Sequence, residues 1–208
     1  DNAATTTAAD ITFDDLTVTN TKTVTMTSSL DNIDFSATLN VGTADLVING
    51  AGTVTNLTGD VTTAGSVDAS GTVGVVTFFL SAGLDDLKTG GAADVLTIEA
   101  AATSGLTTID MGAGDDTLNS IDADITVDGG DGTSDTVQFA VTADLTGQTF
   151  NLTNVEVVDI DSAGNALATL TVNSSQVSGD TYALISTENT TTDAFTVVVD
   201  SNVVDLSG

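Results

Sequence analysis

Histidine, cysteine, arginine, proline and tryptophan are all missing from this chain, and most of these absences close off a function. Without histidine no side chain has an ordinary pKa near neutral pH for general acid–base work, and no serine has an imidazole to activate it. Without cysteine there is no thiol nucleophile and no disulfide to stabilise the fold. Arginine's bidentate clamp for phosphate or carboxylate is absent, and zinc loses its usual nitrogen and sulfur ligands. Aromatic residues make up only 4%, so Tyr182 is the lone ring of the kind that serves as a sugar platform. What remains is a pair of carboxylates of the glycosidase kind. The adjacent pairs Asp14-Asp15, Asp85-Asp86 and Asp115-Asp116 supply candidates, but neighbouring strand residues point to opposite faces. The sequence predicts a protein that is not an enzyme.

Positive charge is nearly absent as well. Lys22 and Lys88 face 30 acids, for a net charge of −28. Such a chain repels nucleic acid and anionic membrane surfaces. A folded body with this charge also repels itself unless something compensates. Two lysines cannot do so through salt bridges, whereas bound divalent cations can, and Asp is a hard-oxygen ligand for them. No apolar run reaches transmembrane length, so no membrane insertion is expected. The chain begins with Asp1 and carries no signal peptide, which suggests a mature chain or an excerpt of a longer one, exported from a bacterial cell.

What the sequence does contain is Thr, Ala, Val, Leu, Ile, Asp and Gly. Positive mean hydropathy and alternating apolar runs argue against disorder despite the charge. Threonine and the β-branched aliphatics favour strands. Ile11–Phe13, Leu16–Thr19, Thr23–Thr27, Ile33–Phe35 and Ala44–Ile48 alternate as in a sheet with one wet face. Glycines then punctuate the chain so often that no strand can be long. A helical stretch is conceivable over Val95–Thr103, which carries Glu99 and three consecutive alanines. The run Asn154–Ile160 reads as the cleanest strand; Ala168–Val172, Phe195–Val199 and Val203-Val204 read as closing strands.

Residues 77–160 repeat. Leu87-Lys88-Thr89-Gly90-Gly91-Ala92-Ala93-Asp94-Val95-Leu96 aligns with Ile109-Asp110-Met111-Gly112-Ala113-Gly114-Asp115-Asp116-Thr117-Leu118. Both align with Val127-Asp128-Gly129-Gly130-Asp131-Gly132-Thr133-Ser134-Asp135-Thr136-Val137. A weaker copy, Ser81–Leu87, precedes them. Each copy runs from a strand through a Gly-rich turn to Asp, a spacer and an apolar residue. Asp94 to Asp116 is 22 residues and Asp116 to Asp135 is 19. A step near 20 is one coil of a parallel solenoid. The expected architecture is all-β: a parallel β-helix or β-roll-like solenoid with Gly-Asp turns. Its expected parts are a Thr-rich β region (1–75, with a sandwich-like arrangement as an alternative), the repeat region (76–160) and closing strands (161–208), which can also form one continuous domain.

These turns resemble the calcium-binding nonapeptide of RTX proteins, Gly-Gly-x-Gly-x-Asp-x-(apolar)-x. Gly112–Leu118 matches from the second position onward. Gly129-Gly130-Asp131-Gly132 matches the first four, with one residue added before Asp135; Gly90–Asp94 lacks the fourth glycine. The resemblance implies Ca²⁺ held between successive turns, with folding coupled to binding. It implies ligands drawn from Asp86, Asp94, Asp110, Gly112, Gly114, Asp115, Asp116, Asp128, Gly130, Asp131, Gly132 and Asp135, and places Leu96, Leu118 and Val137 in the core. Together with Asp144–Phe150 and Asn154–Asp159, the style of sparse repeats among Thr-rich strands looks like bacterial surface-layer proteins and large adhesins. The expected function is therefore a calcium-stabilised structural module of a bacterial surface layer or extracellular filament, self-assembling outside the cell. The alternative is a spacer domain of a secreted adhesin, with a cell-surface glycan as a conceivable target. A third reading, an ice-binding solenoid, rests on Thr17-Val18-Thr19 and Thr23-Val24-Thr25, and requires such rows to continue in register.

Overall fold

A computed structural model describes residues 11–200 except 15, 19–20, 30, 37–38, 51, 57–60, 64, 81–84, 99–107, 121–124, 140–141, 161–167, 178–180 and 187–192. The chain winds as a parallel β-solenoid. Its first coil holds β1 (Ile11–Phe13), β2 (Leu16–Thr17) and β3 (Thr23–Thr27); the second holds β4 (Ile33–Phe35), β5 (Leu39–Gly42) and β6 (Asp45–Asn49). The third holds β7 (Val54–Asn56), β8 (Val61–Thr63) and β9 (Val67–Gly71). The next coils each hold two described strands: β10 (Val76–Leu80) with β11 (Asp86–Lys88), β12 (Val95–Ile98) with β13 (Thr108–Asp110), and β14 (Thr117–Ser120) with β15 (Ile125–Asp128). Next come β16 (Thr136–Phe139), β17 (Ala143–Asp144) and β18 (Phe150–Thr153). The last described elements are β19 (Val157–Ile160), β20 (Thr169–Asn173), the one-turn helix α1 (Ser174–Val177), β21 (Ala183–Ile185) and β22 (Ala194–Val198).

Equivalent strands of successive coils pair in parallel. The first sheet runs β1-β4-β7-β10-β12-β14-β16-β19-β21; the second runs β3-β6-β9-β11-β13-β15-β18; a small third sheet joins β17, β20 and β22. Register sets the coil length. Val95 lies beside Thr117, Thr117 beside Thr136 and Thr136 beside Val157, giving steps of 22, 19 and 21 residues. The first sheet runs unbroken past residues 75 and 160, across both divisions expected from the sequence. The sandwich-like alternative for the Thr-rich region does not hold over its described residues, which begin at Ile11: every pairing of β1–β9 is parallel and leads into these same sheets, whereas sandwich sheets are antiparallel.

Period-two alternation builds the core. On the first sheet Phe78, Leu96, Leu118, Val137 and Val158 stack in register, each at most 1% exposed. On the second, Leu46, Val67, Leu87, Ile109, Val127 and Leu152 also stack in register, all at most 1% exposed except Leu152 at 8%. Both columns belong to one hydrophobic cluster. Each fully buried aliphatic stabilises the fold by about 1.5–3 kcal/mol, and the small side chains suit so narrow a core. The expected burial of Leu96, Leu118 and Val137 holds.

Other expectations change. Val95–Ile98 is a strand rather than a helix, because Leu96 and Ile98 face the core while Val95 and Thr97 face out, and both neighbouring coils pair with it. Residues 99–103 of that expected helix lie outside the described residues, as do Val203-Val204. The strand expected from Asn154 begins at Val157; Asn154 is instead a turn residue with φ 51°. The threonine ladder breaks at once, since Thr23 and Thr25 stand beside Asp45 and Val47 in the next coil. No helix among the described residues is long and apolar enough to cross a membrane.

Candidate metal centre

Between the end of one second-sheet strand and the start of the next first-sheet strand, the chain turns through the Gly-Asp segments. Stacked coils bring these turns together at one corner of the solenoid. The close approach explains the glycines. Gly112 and Gly130 have φ of 86° and 91°, a region that side chains strain to adopt. A Cβ on Gly112 would run into the Gly90 carbonyl, and one on Gly130 into the Gly112 carbonyl. Backbone hydrogen bonds join the turns: Ala113 N–H to the Gly90 carbonyl (2.8 Å), Asp131 N–H to the Gly112 carbonyl (2.7 Å) and Gly114 N–H to the Asp131 carbonyl (2.9 Å).

Beneath this backbone lies a column of buried acids. Asp94, Asp116 and Asp135 are 1%, 1% and 0% exposed. Each carboxylate reaches back one coil to accept a backbone N–H. Val76 N–H donates to Asp94 Oδ1 (2.7 Å), Asp94 N–H to Asp116 Oδ1 (2.6 Å) and Asp116 N–H to Asp135 Oδ1 (2.8 Å). Glu156 continues the series, its Oε2 accepting from Asp135 N–H (2.9 Å). The carboxylates thus replace the carbonyl acceptors that a regular ladder would supply, and satisfy amides otherwise orphaned in the interior.

Burial and mutual repulsion make this column costly when ionised. Burial pushes the Asp116 carboxyl up to about 7, helped by the charges of Asp94, Asp135 and Asp115, while its bond from Asp94 N–H pulls the other way. Burial likewise raises Asp135, with the Glu156 charge adding to the effect, and raises Asp94. The second oxygens of Asp116 and Asp135, both buried, have no hydrogen-bond partner. Above them sits Gly132: a Cβ there would meet both Asp135 Oδ2 (2.5 Å) and the Gly114 carbonyl. Carboxylate and carbonyl oxygens therefore approach a common space that only glycine leaves open.

The remaining expected ligands divide. Asp115 and Asp131 are exposed and line, with Gly114, Gly132 and Thr133, a shallow depression over the turns. Asp115 accepts from the N–H (2.9 Å) and hydroxyl (3.1 Å) of Thr133, which lowers its pKa. Asp110 and Asp128 stand next to each other on the outer face of the second sheet. Lys88 Nζ lies 3.6 Å from Asp110, and Asp128 Oδ1 accepts from Gly130 N–H (3.1 Å) and Asn154 Nδ2–H (2.8 Å). Asp86 is removed from the turns: it opens β11, the central strand of the second sheet, at the end opposite the Gly-Asp turn, and accepts the Thr108 hydroxyl. Three participants went unread in the sequence. Glu156 was legible, since it stands 21 residues after Asp135 and two before the apolar Val158. Thr89, whose buried hydroxyl donates to the Met111 carbonyl (2.7 Å), and Asn154, which adopts the positive φ in a glycine's place, had no such signal.

The donor set is all oxygen, the chemistry of Ca²⁺ rather than zinc. Among the described residues no three acidic side chains converge into a group that could hold a metal ion. A cation here would therefore draw on backbone carbonyls as well as on Asp116 and Asp135. Fold and site together define a parallel β-solenoid with one corner of stacked Gly-Asp turns. No family model matches the chain, and no curated protein or solved structure matches it either.

Proposed function

We propose that this chain is a calcium-stabilised structural module of a bacterial surface layer or extracellular filament, self-assembling outside the cell. The observation that carries the reading is the buried Asp94–Asp116–Asp135 column, with open oxygens on Asp116 and Asp135, in a chain of net charge −28. Buried carboxylates without counter-charge oppose folding. A divalent cation seated between turns removes that penalty at the place where it is largest, so folding and binding become one event. The likeness of Gly112–Leu118 and Gly129–Gly132 to RTX turns supports Ca²⁺ as the ion. The lack of any His or Cys supports a mechanical role over a chemical one.

Calcium titration followed by circular dichroism and light scattering tests this. Folding and assembly are expected to rise together with calcium. The Asp116→Ala/Asp135→Ala double variant is expected to need several-fold more calcium to fold; an unchanged requirement removes these turns from the site. Sheets or fibres in calcium match the surface-layer reading, whereas monodisperse rods match a spacer domain of a secreted adhesin.

A further inference from the structure

We infer that the outer face of the first sheet, over β10, β12, β14 and β16, is the surface through which two copies of this chain pack against each other. This rests on the self-assembly reading above and names the face that does it. Alternation turns Thr77, Val95, Thr97, Thr117, Asn119 and Thr136 outward, and register lines them up across successive coils: Thr77–Val95–Thr117–Thr136 in one row, with Thr97–Asn119 beside it. None of these side chains is buried, and Val95 is 36% exposed.

The face stands out by what it lacks. With 30 acids in 208 residues, the described outward strand positions from Thr55 on β7 to Gln138 on β16 carry no charge. The neighbouring acids, Asp34 on β4 and Asp159 on β19, mark its two limits along the sheet. The second sheet is the opposite case, its outer face carrying Asp45, Asp68, Asp86, Asp110 and Asp128 against Lys88 alone. Charge complementarity then selects the occupant. A cationic partner has its best surface on the second sheet. A second copy, itself strongly acidic, can approach closely only where both surfaces are neutral. Threonine and valine in rows on a regularly spaced parallel sheet offer a surface with little side-chain entropy to lose on contact.

The absence of cysteine makes the test clean. In calcium, Asn119→Cys is expected to form covalent dimers with a short bismaleimide, while Thr126→Cys, on the outer face of the second sheet, is not. As a second measure, Thr97→Asp/Thr117→Asp is expected to weaken self-association by at least about tenfold in sedimentation equilibrium, through like-charge juxtaposition. Mixing it with Thr97→Lys/Thr117→Lys is expected to restore association. Wild-type chains that associate while cross-linking equally at both cysteines, or while ignoring the aspartates, overturn the face alone. A wild type that stays monomeric in calcium overturns the assembly reading and the face together.

Discussion

The backbone N–H of Asp116 donates to the carboxylate of Asp135, one coil further on, at 2.8 Å. The same bond recurs from Asp94 to Asp116 and from Asp135 to Glu156. Every coil in this region thus hangs part of its backbone on the acid of the next. The arrangement stabilises the turn through the bond and destabilises it through the charge. Which effect wins depends on what neutralises the column.

Removing the charge while keeping the acceptor isolates the penalty. Asp116→Asn retains an oxygen for Asp94 N–H, so in chelator this variant is expected to unfold at equal or higher urea than the wild type, with a smaller response to added calcium. A lower midpoint in chelator would mean that the ionised group is not a burden.

The pH dependence follows from the same group. Asp116 has a folded-state value of about 7 against an ordinary 3.8. A raised folded pKa contributes stability that is fully present below the unfolded value and lost as pH rises through the folded one. Cation-free protein is therefore expected to lose stability between about pH 4 and about pH 7, with Asp94 and Asp135 acting in the same direction. The exposed Asp115 and Asp144, whose pKa values are lowered by hydrogen bonds from Thr133 and Thr146, act oppositely but weakly at lower pH. Urea midpoints across this range in chelator, and again in calcium, check the sign; calcium is expected to flatten the curve.

Glu156 ends the column and can be tested apart from any ion. Glu156→Ala leaves Asp135 N–H without its acceptor and is expected to cost about 1–3 kcal/mol. Glu156→Gln keeps an acceptor oxygen and is expected to restore most of it. Equal losses in both variants would show that the hydrogen bond is not what Glu156 contributes.

The glycines are not equivalent. Gly130→Ala puts a side chain at φ 91° and against the Gly112 carbonyl, and is expected to cost about 1–3 kcal/mol or more. Gly91, in the same motif, has nothing within 4 Å of an added Cβ. Gly91→Ala is expected to change stability by less than about 0.5 kcal/mol. Thermal melts of the pair in calcium measure the contrast.

Much of the fold was written in the spacing. The 22- and 19-residue steps between Asp94, Asp116 and Asp135 equal the register shifts of the strands that follow them, because a solenoid converts sequence period directly into stacking. Parity separates inner from outer acids, a distinction that the ligand set implied by the RTX resemblance does not make. Asp94, Asp116 and Asp135 each stand two residues before a core residue and point inward, whereas Asp115 and Asp86 stand an odd number away and point out. What the sequence could not display is the partner of each carboxylate. That partner is a backbone amide one coil earlier, and amides carry no mark in the sequence. Gly83–Asp86 looks like a turn copy, yet Asp86 starts the central strand of the second sheet, at the end away from the Gly-Asp corner. The neutral rows of the first sheet were equally hidden, since they appear only when strands 18 to 22 residues apart are laid side by side.

The most direct test of the account is the circular dichroism of purified chain after exhaustive chelation at low salt and pH 8, before and after calcium is returned. The account predicts loss of the β-sheet signal in chelator and its recovery with calcium. A spectrum and melting temperature unchanged by chelation would contradict it, and would leave the aspartate column a self-sufficient hydrogen-bonding device.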